Sequence, residues 1–267
     1  MSELWSRLGF LAIALVVYRI GTHIPIPGIN PEQVAALFQQ SQGTILQYFN
    51  LFSGGALERM SIFALSVVPY ISSAIVMQLF SNSIPYLQEL KKDGQAGRNK
   101  ITQYTRYGTV IFALIQSSAL TVTLQTAGLI DAGSILSAFV AVISIVTGTM
   151  FLMWLGEQIS ERGIGNGISI IIATSIITGV PRAFGQALEQ TQQGDLNYLL
   201  LIVLAILTLL VVAFVVFVEN AQRKITVNYA QRNQVRGMIQ APSSFLPLKL
   251  NMSGVIPAIF ALSLIHI

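Results

Sequence analysis

Two histidines, eleven carboxylates, fifteen basic side chains and no cysteine are the ionisable groups this 267-residue chain could turn to chemistry. His23 lies in a proline-rich turn and His266 next to the last residue. Neither has a sequence neighbour to work with as a general base or a metal ligand. Without a thiol there is no disulfide and no cysteine-ligated zinc or iron–sulfur centre. Gly163-Ile164-Gly165-Asn166-Gly167 is superficially like a dinucleotide loop, but the third glycine would have to fall at Ile168 and no strand precedes it. It reads as a turn opening a helix, with glycines supplying conformations that other residues resist. Proton-coupled carriers place acids or histidines in mid-membrane, whereas the long apolar runs here carry no charge apart from Arg19. The reading is therefore of no catalytic residues, no cofactor and no metal. The runs instead hold amides and hydroxyls: Ser66, Ser72, Ser73, Gln78, Gln116, Ser117, Ser118, Thr147 and Thr149. Most are expected to bond helix to helix, at about 0.6 kcal/mol each.

The elements that must carry these groups follow from composition. Apolar residues make up 53% and charged residues 10%, against roughly a quarter charged in a soluble domain. A mean hydropathy of +0.68 leaves too little polar surface for a globule in water, so the chain reads as an integral membrane protein. A helix crossing about 30 Å of hydrocarbon needs roughly 20 apolar residues. Charge-free runs near or above that length cover residues 60–88, 107–130, 132–156, 163–181, 196–218 and 250–267. A further one, 8–26, is interrupted only by Arg19 near its end, where a long side chain can snorkel. It lacks a small-residue cleavage pattern and reads as an uncleaved helix. Seven spans are expected, the second bent near its middle by Pro69.

Alternating the sides tests this division. With the N-terminus cytosolic, one side receives Arg7, Lys91, Lys92, Arg98, Lys100, Arg106, Arg162, Arg223, Lys224, Arg232, Arg236 and Lys249, and the other keeps Arg19, Arg59 and Arg182. That is 12 against 3, while the acids split 6 to 5. The asymmetry belongs to the basic residues, as the positive-inside rule requires.

Two connections are long. The external one, 21–61, contains an apolar patch from Ile45 to Phe52, closed by Ser53-Gly54-Gly55 and too short to span. From composition it is either a helix dipping inward or an amphipathic helix lying on the bilayer. The cytosolic one, 219–252, alternates Ile225, Val227 and Tyr229 on one face and reads as a cationic β-hairpin.

Several strings go further than pattern. Ile24-Pro25-Ile26-Pro27-Gly28, Phe52-Ser53-Gly54-Gly55-Ala56-Leu57, Pro69-Tyr70-Ile71, Gln103-Tyr104-Thr105-Arg106-Tyr107-Gly108-Thr109 and Trp154-Leu155-Gly156-Glu157-Gln158-Ile159 resemble the SecY family of bacterial protein-translocation channels. So do Glu161-Arg162-Gly163 through Ser169, Leu246-Pro247-Leu248-Lys249 and Gly254-Val255-Ile256-Pro257-Ala258-Ile259-Phe260. The matches run in register from about Leu8 to Phe260.

The resemblance implies an all-α polytopic membrane protein. Residues 1–181 would be the N-terminal five-helix half of a ten-helix inverted-repeat clamshell, and 182–267 would hold helix six, the basic loop 219–252 and part of helix seven. It implies a re-entrant plug over about 45–59, including Phe49, Phe52, Ser53, Gly54 and Gly55, which favours the inward-dipping alternative. It implies a pore ring of Val67, Ile71, Ile168, Ile172 and Ile259, where a narrow apolar waist sheds water yet can yield around an extended polypeptide. Valine at 67 departs from isoleucine and implies a slightly looser ring. Ser72 and Gln116 would belong to a lateral gate, opened when a signal sequence replaces helix contacts with comparable ones. Arg223, Lys224, Arg232 and Arg236 would dock a motor or a ribosome, although Arg236 is followed by Gly237 where the family often has a second arginine. The implied partners are SecE, SecG, the SecA ATPase, the ribosome, signal-sequence-bearing nascent polypeptides and membrane lipids. The implied location is the bacterial cytoplasmic membrane. Residues 261–267 do not resemble the family's continuation, so the sequence reads as a partial chain, expected not to form a sealed pore alone. A secondary transporter with a re-entrant segment is the runner-up and lacks a mid-membrane substrate site; an intramembrane enzyme lacks a nucleophile paired with a base.

Overall fold

The computed structural model describes residues 2–29, 33–34, 50, 53–129, 135–193, 197–227 and 244–249. Among them are α1 (Ser2–Gly21), α2 (Val68–Ser83), α3 (Pro85–Lys92), α4 (Gly94–Thr126), α5 (Ile135–Arg162), α6 (Gly167–Gln192) and α7 (Tyr198–Asn220), followed by β1 (Gln222–Val227) and β2 (Ser244–Lys249). Contacts divide the chain into two compact units, Met1–Phe184 and Gly185–Ile267. Phe49, Phe52, Arg232, Arg236, Ile259 and the seventh expected span lie outside the described residues.

Among the described residues, five helices, α1, α4, α5, α6 and α7, are long and apolar enough to cross a membrane. The second expected span is not one bent helix. Residues 53–67 form successive turns, and α2 begins at Val68 with Pro69 in its first turn. There the missing N–H leaves no carbonyl without a donor, so the proline starts the helix where mid-helix bending was expected. The helix has 16 residues, which rise only about 24 Å. Ile84 is extended, as a residue preceding proline prefers, and Pro85 then opens α3, which buries Leu87 and Leu90 and exposes Lys91 and Lys92. A run without charge thus passes through three different local structures.

Other boundaries moved for equally local reasons. α4 starts 13 residues before the expected 107 and, at 33 residues, is about 50 Å long, more than hydrocarbon requires. It stops in a Schellman motif: Gly128 has φ +72°, its N–H bonds Gln125 O at 3.0 Å, and the N–H of Leu129 bonds Leu124 O at 3.0 Å. α6 runs through Pro181, its expected end, to Gln192, because the following Ala183 to Gln192 stretch is rich in helix formers.

In the first unit, residues 24–26 and 60–62 pair as a short antiparallel bridge. Ile26 N–H bonds Met60 O at 2.9 Å and Ile62 N–H bonds Ile24 O at 3.0 Å. Pro25, opposite Ser61, is at the position that need not donate. Gly148 of α5 leaves room for the Ile62 carbonyl, and Gly21 for the Phe63 ring, which stacks on Tyr18 and Phe151. α2 packs on α4 where Ser73 Oγ donates to the Thr105 carbonyl at 2.7 Å and Gly108 leaves space for that hydroxyl. An apolar cavity of about 710 Å³, lined among others by Val17, Ile20, Phe63, Ile143 and Phe151, lies between α1 and α5.

In the second unit, Asn197 caps α7 by accepting the Leu199 N–H, and the most apolar 18-residue window of this helix is 0% buried. The expected hairpin is present: β1 and β2 are antiparallel, with Arg223 opposite Leu248 and Ile225 opposite Leu246.

Candidate channel-lining site

Two apolar clusters fill the first unit. One holds Ile26, Val34, Leu57, Met60, Leu124 and Ile145. The other is built around Tyr18, Phe63, Val67, Leu152, Ile159 and Ile171, with Ile71, Ile168 and Ile172 partly buried against it. Of the five residues expected at a pore ring, Val67 at the start of α2 belongs to this cluster, and Ile71 of α2 with Ile168 and Ile172 of α6 border it, as Phe10, Leu11, Ile62 and Ile170 also do. Val67 is 2% exposed, at the cap position of α2.

The loop from Gly163 to Gly167 sets the α6 pair. Gly165 has φ +71°, which only glycine adopts without strain. Asn166 Oδ1 accepts the N–H groups of Ile168 at 3.1 Å and Ser169 at 3.4 Å, a side-chain N-cap. Ser160 Oγ accepts the Gly167 N–H at 2.8 Å and donates to the Gly156 carbonyl at 2.9 Å. Gly167 sits against that same carbonyl with no space for a Cβ. The first turn of α6 is thereby clamped to α5, and i, i+4 spacing puts Ile168 and Ile172 on one face.

Residues 53–59 lie against the same cluster. Asn50 accepts the Glu58 N–H at 3.0 Å and donates to the Glu58 carboxylate at 3.0 Å, and Ser53 Oγ accepts the Leu57 N–H at 3.1 Å, so the turns are internally bonded. Gly54 and Gly55 have φ of +66° and +81°, and the backbone of Ser175 leaves no slack beside Gly54. The Tyr18 hydroxyl lies 2.5 Å from Ser175 Oγ and 3.4 Å from the Ser53 carbonyl, and Arg19 reaches the Gly54 carbonyl at 3.4 Å. Tyr18 and Ser175 were not found by sequence reasoning; they are 157 positions apart and carry no spacing signal.

The polar residues divide. Ser73, not Ser72, makes the contact from α2 to α4, and Ser72 is half-buried beside it. Gln116 is half-buried with Oε1 shielded and without a hydrogen-bond partner, as are Ser66 Oγ and Thr149 Oγ1. Ser117 and Ser118 bond the Leu114 carbonyl of their own helix, so the expected helix-to-helix role fails for them. His23 has partners after all: Nδ1 lies 2.9 Å from the Arg19 carbonyl and Nε2 accepts Arg59 at 3.0 Å. That leaves no nitrogen for a metal in this arrangement. Arg106 of α4 pairs with Glu157 of α5 at 2.8 Å. Arg223 and Lys224 are exposed on β1.

Among the described residues, the second cluster joins aliphatic side chains from α1, α2, α5 and α6. The SecY family model matches residues 61–267. The chain belongs to the SecY family. It is 57% identical over 265 residues to the protein translocase subunit SecY of Pseudomonas aeruginosa, covering 99% of this chain and 60% of that relative. To the subunit of Escherichia coli K12 it is 54% identical, covering 99% and 61%. A Buchnera aphidicola relative is 55% identical and 76% covered. The chain thus spans about 60% of the length of the Pseudomonas and Escherichia relatives. Two solved structures share the fold. One, described as a protein conducting channel, gives a TM-score of 0.65 at 21% identity, covering 98% of this chain and 56% of that one. The other concerns a SecY plug domain that stabilises the closed state, with a TM-score of 0.68 at 22% identity over 98% and 56%. As a SecY-family chain with several membrane-length helices, the protein is a multi-pass membrane protein.

Proposed function

We propose that this chain provides the central pore-forming part of a protein-conducting channel that passes unfolded secretory polypeptides across the bacterial cytoplasmic membrane and releases apolar segments sideways into lipid. The observation that supports the reading is that Ile71, Ile168 and Ile172 border the one apolar cluster that contains Val67, with residues 53–59 packed against it. An apolar constriction of this kind dewets and blocks ions without binding the passing chain specifically. Ile259 would complete the ring and residues 45–59, with Phe49 and Phe52, would form the plug. Ser72 and Gln116 would line the lateral gate. Residues 1–181 and 182–267 would belong to opposite halves of an inverted-repeat clamshell, with the N-terminus cytosolic. The 12-to-3 basic asymmetry supports that orientation.

The driving force comes from outside the channel. Arg223, Lys224, Arg232 and Arg236 would meet the acidic surface of the SecA ATPase or the phosphates of a ribosome, and SecE and SecG would complete the assembly. One solved relative of this fold is a Sec61 channel in a ribosome complex. The test places a cysteine at Ile71 in a complete channel and another in a stalled secretory chain. Cross-linking is expected, and none in an otherwise active complex removes Ile71 from the path. Ile71→Gly or Ile168→Gly should raise resting ion conductance; an unchanged current counts against the apolar ring.

A further inference from the structure

The hydroxyls of Tyr18 and Ser175 form a node whose protons can be placed in two ways. Both side chains are buried, at 1% and 0% exposure, and their oxygens are 2.5 Å apart. Two carbonyls are in reach: Ile171 O on α6, 2.8 Å from Ser175 Oγ, and Ser53 O in the candidate plug, 3.4 Å from the Tyr18 hydroxyl. Each hydroxyl has one proton to donate. If Ser175 donates to Ile171, then Tyr18 must donate to Ser175, and the plug carbonyl receives nothing from the node. If Ser175 donates to Tyr18, then the Tyr18 proton is free for Ser53. The Ile171 carbonyl loses little in that case, since it already accepts a helical N–H. The Ser53 carbonyl is likewise not orphaned in the other, since the Ala56 N–H reaches it at 3.3 Å.

We infer that Tyr18 and Ser175 are positioning residues that act as a two-state hydroxyl relay, holding residues 53–59 when Tyr18 donates to Ser53 and allowing them to leave when that proton turns to Ser175. A lone buried donor would penalise departure by its full desolvation cost, and the relay removes that penalty because Tyr18 stays bonded in both states. Gly54 lets the turn seat against Ser175, since its φ of +66° strains any side chain and a Cβ there would press to 3.2 Å from the Ser175 backbone. The grip is light by construction: the Tyr18 and Arg19 bonds to the segment are both 3.4 Å long. Ser66 Oγ is buried near the same tyrosine and is the other acceptor the released proton could find.

This rests on reading residues 53–59 as a plug, and the experiment separates the two ideas by sign. A complete SecY-family channel carrying these residues is reconstituted with its partner subunits, and its resting ion conductance is read without substrate. Tyr18→Phe removes the donor to Ser53 and should raise the open fraction roughly two- to tenfold, the range of one net hydrogen bond. Ser175→Ala combined with Ser66→Ala leaves Tyr18 no acceptor but the plug carbonyl, and should lower the open fraction below wild type. A purely structural role would move both variants in one direction. Changes of the same sign, or no change in either, overturn the relay. Assembly is checked by recovery of the intact complex, and Ser175→Thr, which restores the hydroxyl, should return the double variant toward wild type. Deleting residues 53–59 is the separate control. If conductance does not rise, the plug reading fails whatever the point variants do.

Discussion

Gly156 of α5 and Ile168 of α6 approach so closely that a Cβ on residue 156 would overlap Cδ1 of Ile168. The obstructing atom is the far end of a flexible side chain, whereas the Cβ that Gly167 lacks would meet the backbone carbonyl of Gly156. The two glycines hold the same turn, with different tolerance. Gly156→Ala should therefore fold, displace Ile168 and cost about 1 kcal/mol, while Gly167→Ala should cost about 3 kcal/mol, the two ends of the overpacking range. Thermal unfolding in detergent checks the order, and equal losses would contradict it.

Ser66 has φ +51° and a buried hydroxyl with no hydrogen-bond partner, two penalties at one position. A non-glycine residue in this region stores about 1–3 kcal/mol, and glycine returns part of the gain by loosening the unfolded chain. Ser66→Gly is expected to stabilise the fold by about 1 kcal/mol. Ser66→Ala, which keeps the strain and removes only the orphan oxygen, should gain less. Comparing their unfolding midpoints decides whether the backbone or the hydroxyl dominates.

Arg106 and Glu157 tie α4 to α5 across 51 positions, yet their side chains are 47% and 18% exposed. Solvent screening at Arg106 limits the pair to well under 1 kcal/mol. Glu157→Gln and Arg106→Gln should each lower stability slightly in low salt. A double-mutant cycle should find a coupling that shrinks toward zero at about 1 M salt, where the screening length is roughly 3 Å. Coupling insensitive to salt would mean the pair is more enclosed than its exposure indicates.

Arg223 and Lys224 stand exposed on β1. Reversing both to glutamate should leave thermal stability within about 0.5 kcal/mol, as for ordinary surface changes. If the hairpin is a docking element for an anionic or acidic partner, the same variant should reduce translocation several-fold, with the defect greatest at low ionic strength. A normal rate would remove β1 from the docking surface.

Legibility followed the range of the physics. The apolar runs, the basic asymmetry and the alternating residues of β1 were readable because hydropathy, charge and a period of two are properties of neighbours along the chain. Pro69 marks where that reading failed. Proline is disruptive inside a helix and harmless in its first turn, and the choice depends on where residues 53–67 turn against α1 and α5. Ser73 and Ser117 look alike in sequence, but one faces the Thr105 carbonyl and the other bonds its own helix. Spacing alone could not have selected Val67, Ile71, Ile168 and Ile172 from the many aliphatic pairs of a membrane protein; the family resemblance did.

From the amino acids alone came the membrane as solvent, most of the apolar spans and the hairpin, since each rests on local transfer free energy or on a local period of two. The folded chain alone decided that Tyr18 meets Ser175, that Gly148 yields to Ile62 and that Gly156 yields to Ile168. Such pairings depend on how separate helical surfaces fit together. Hydrophobic burial has no direction, so it can commit these segments to a common interior without saying which atoms will touch.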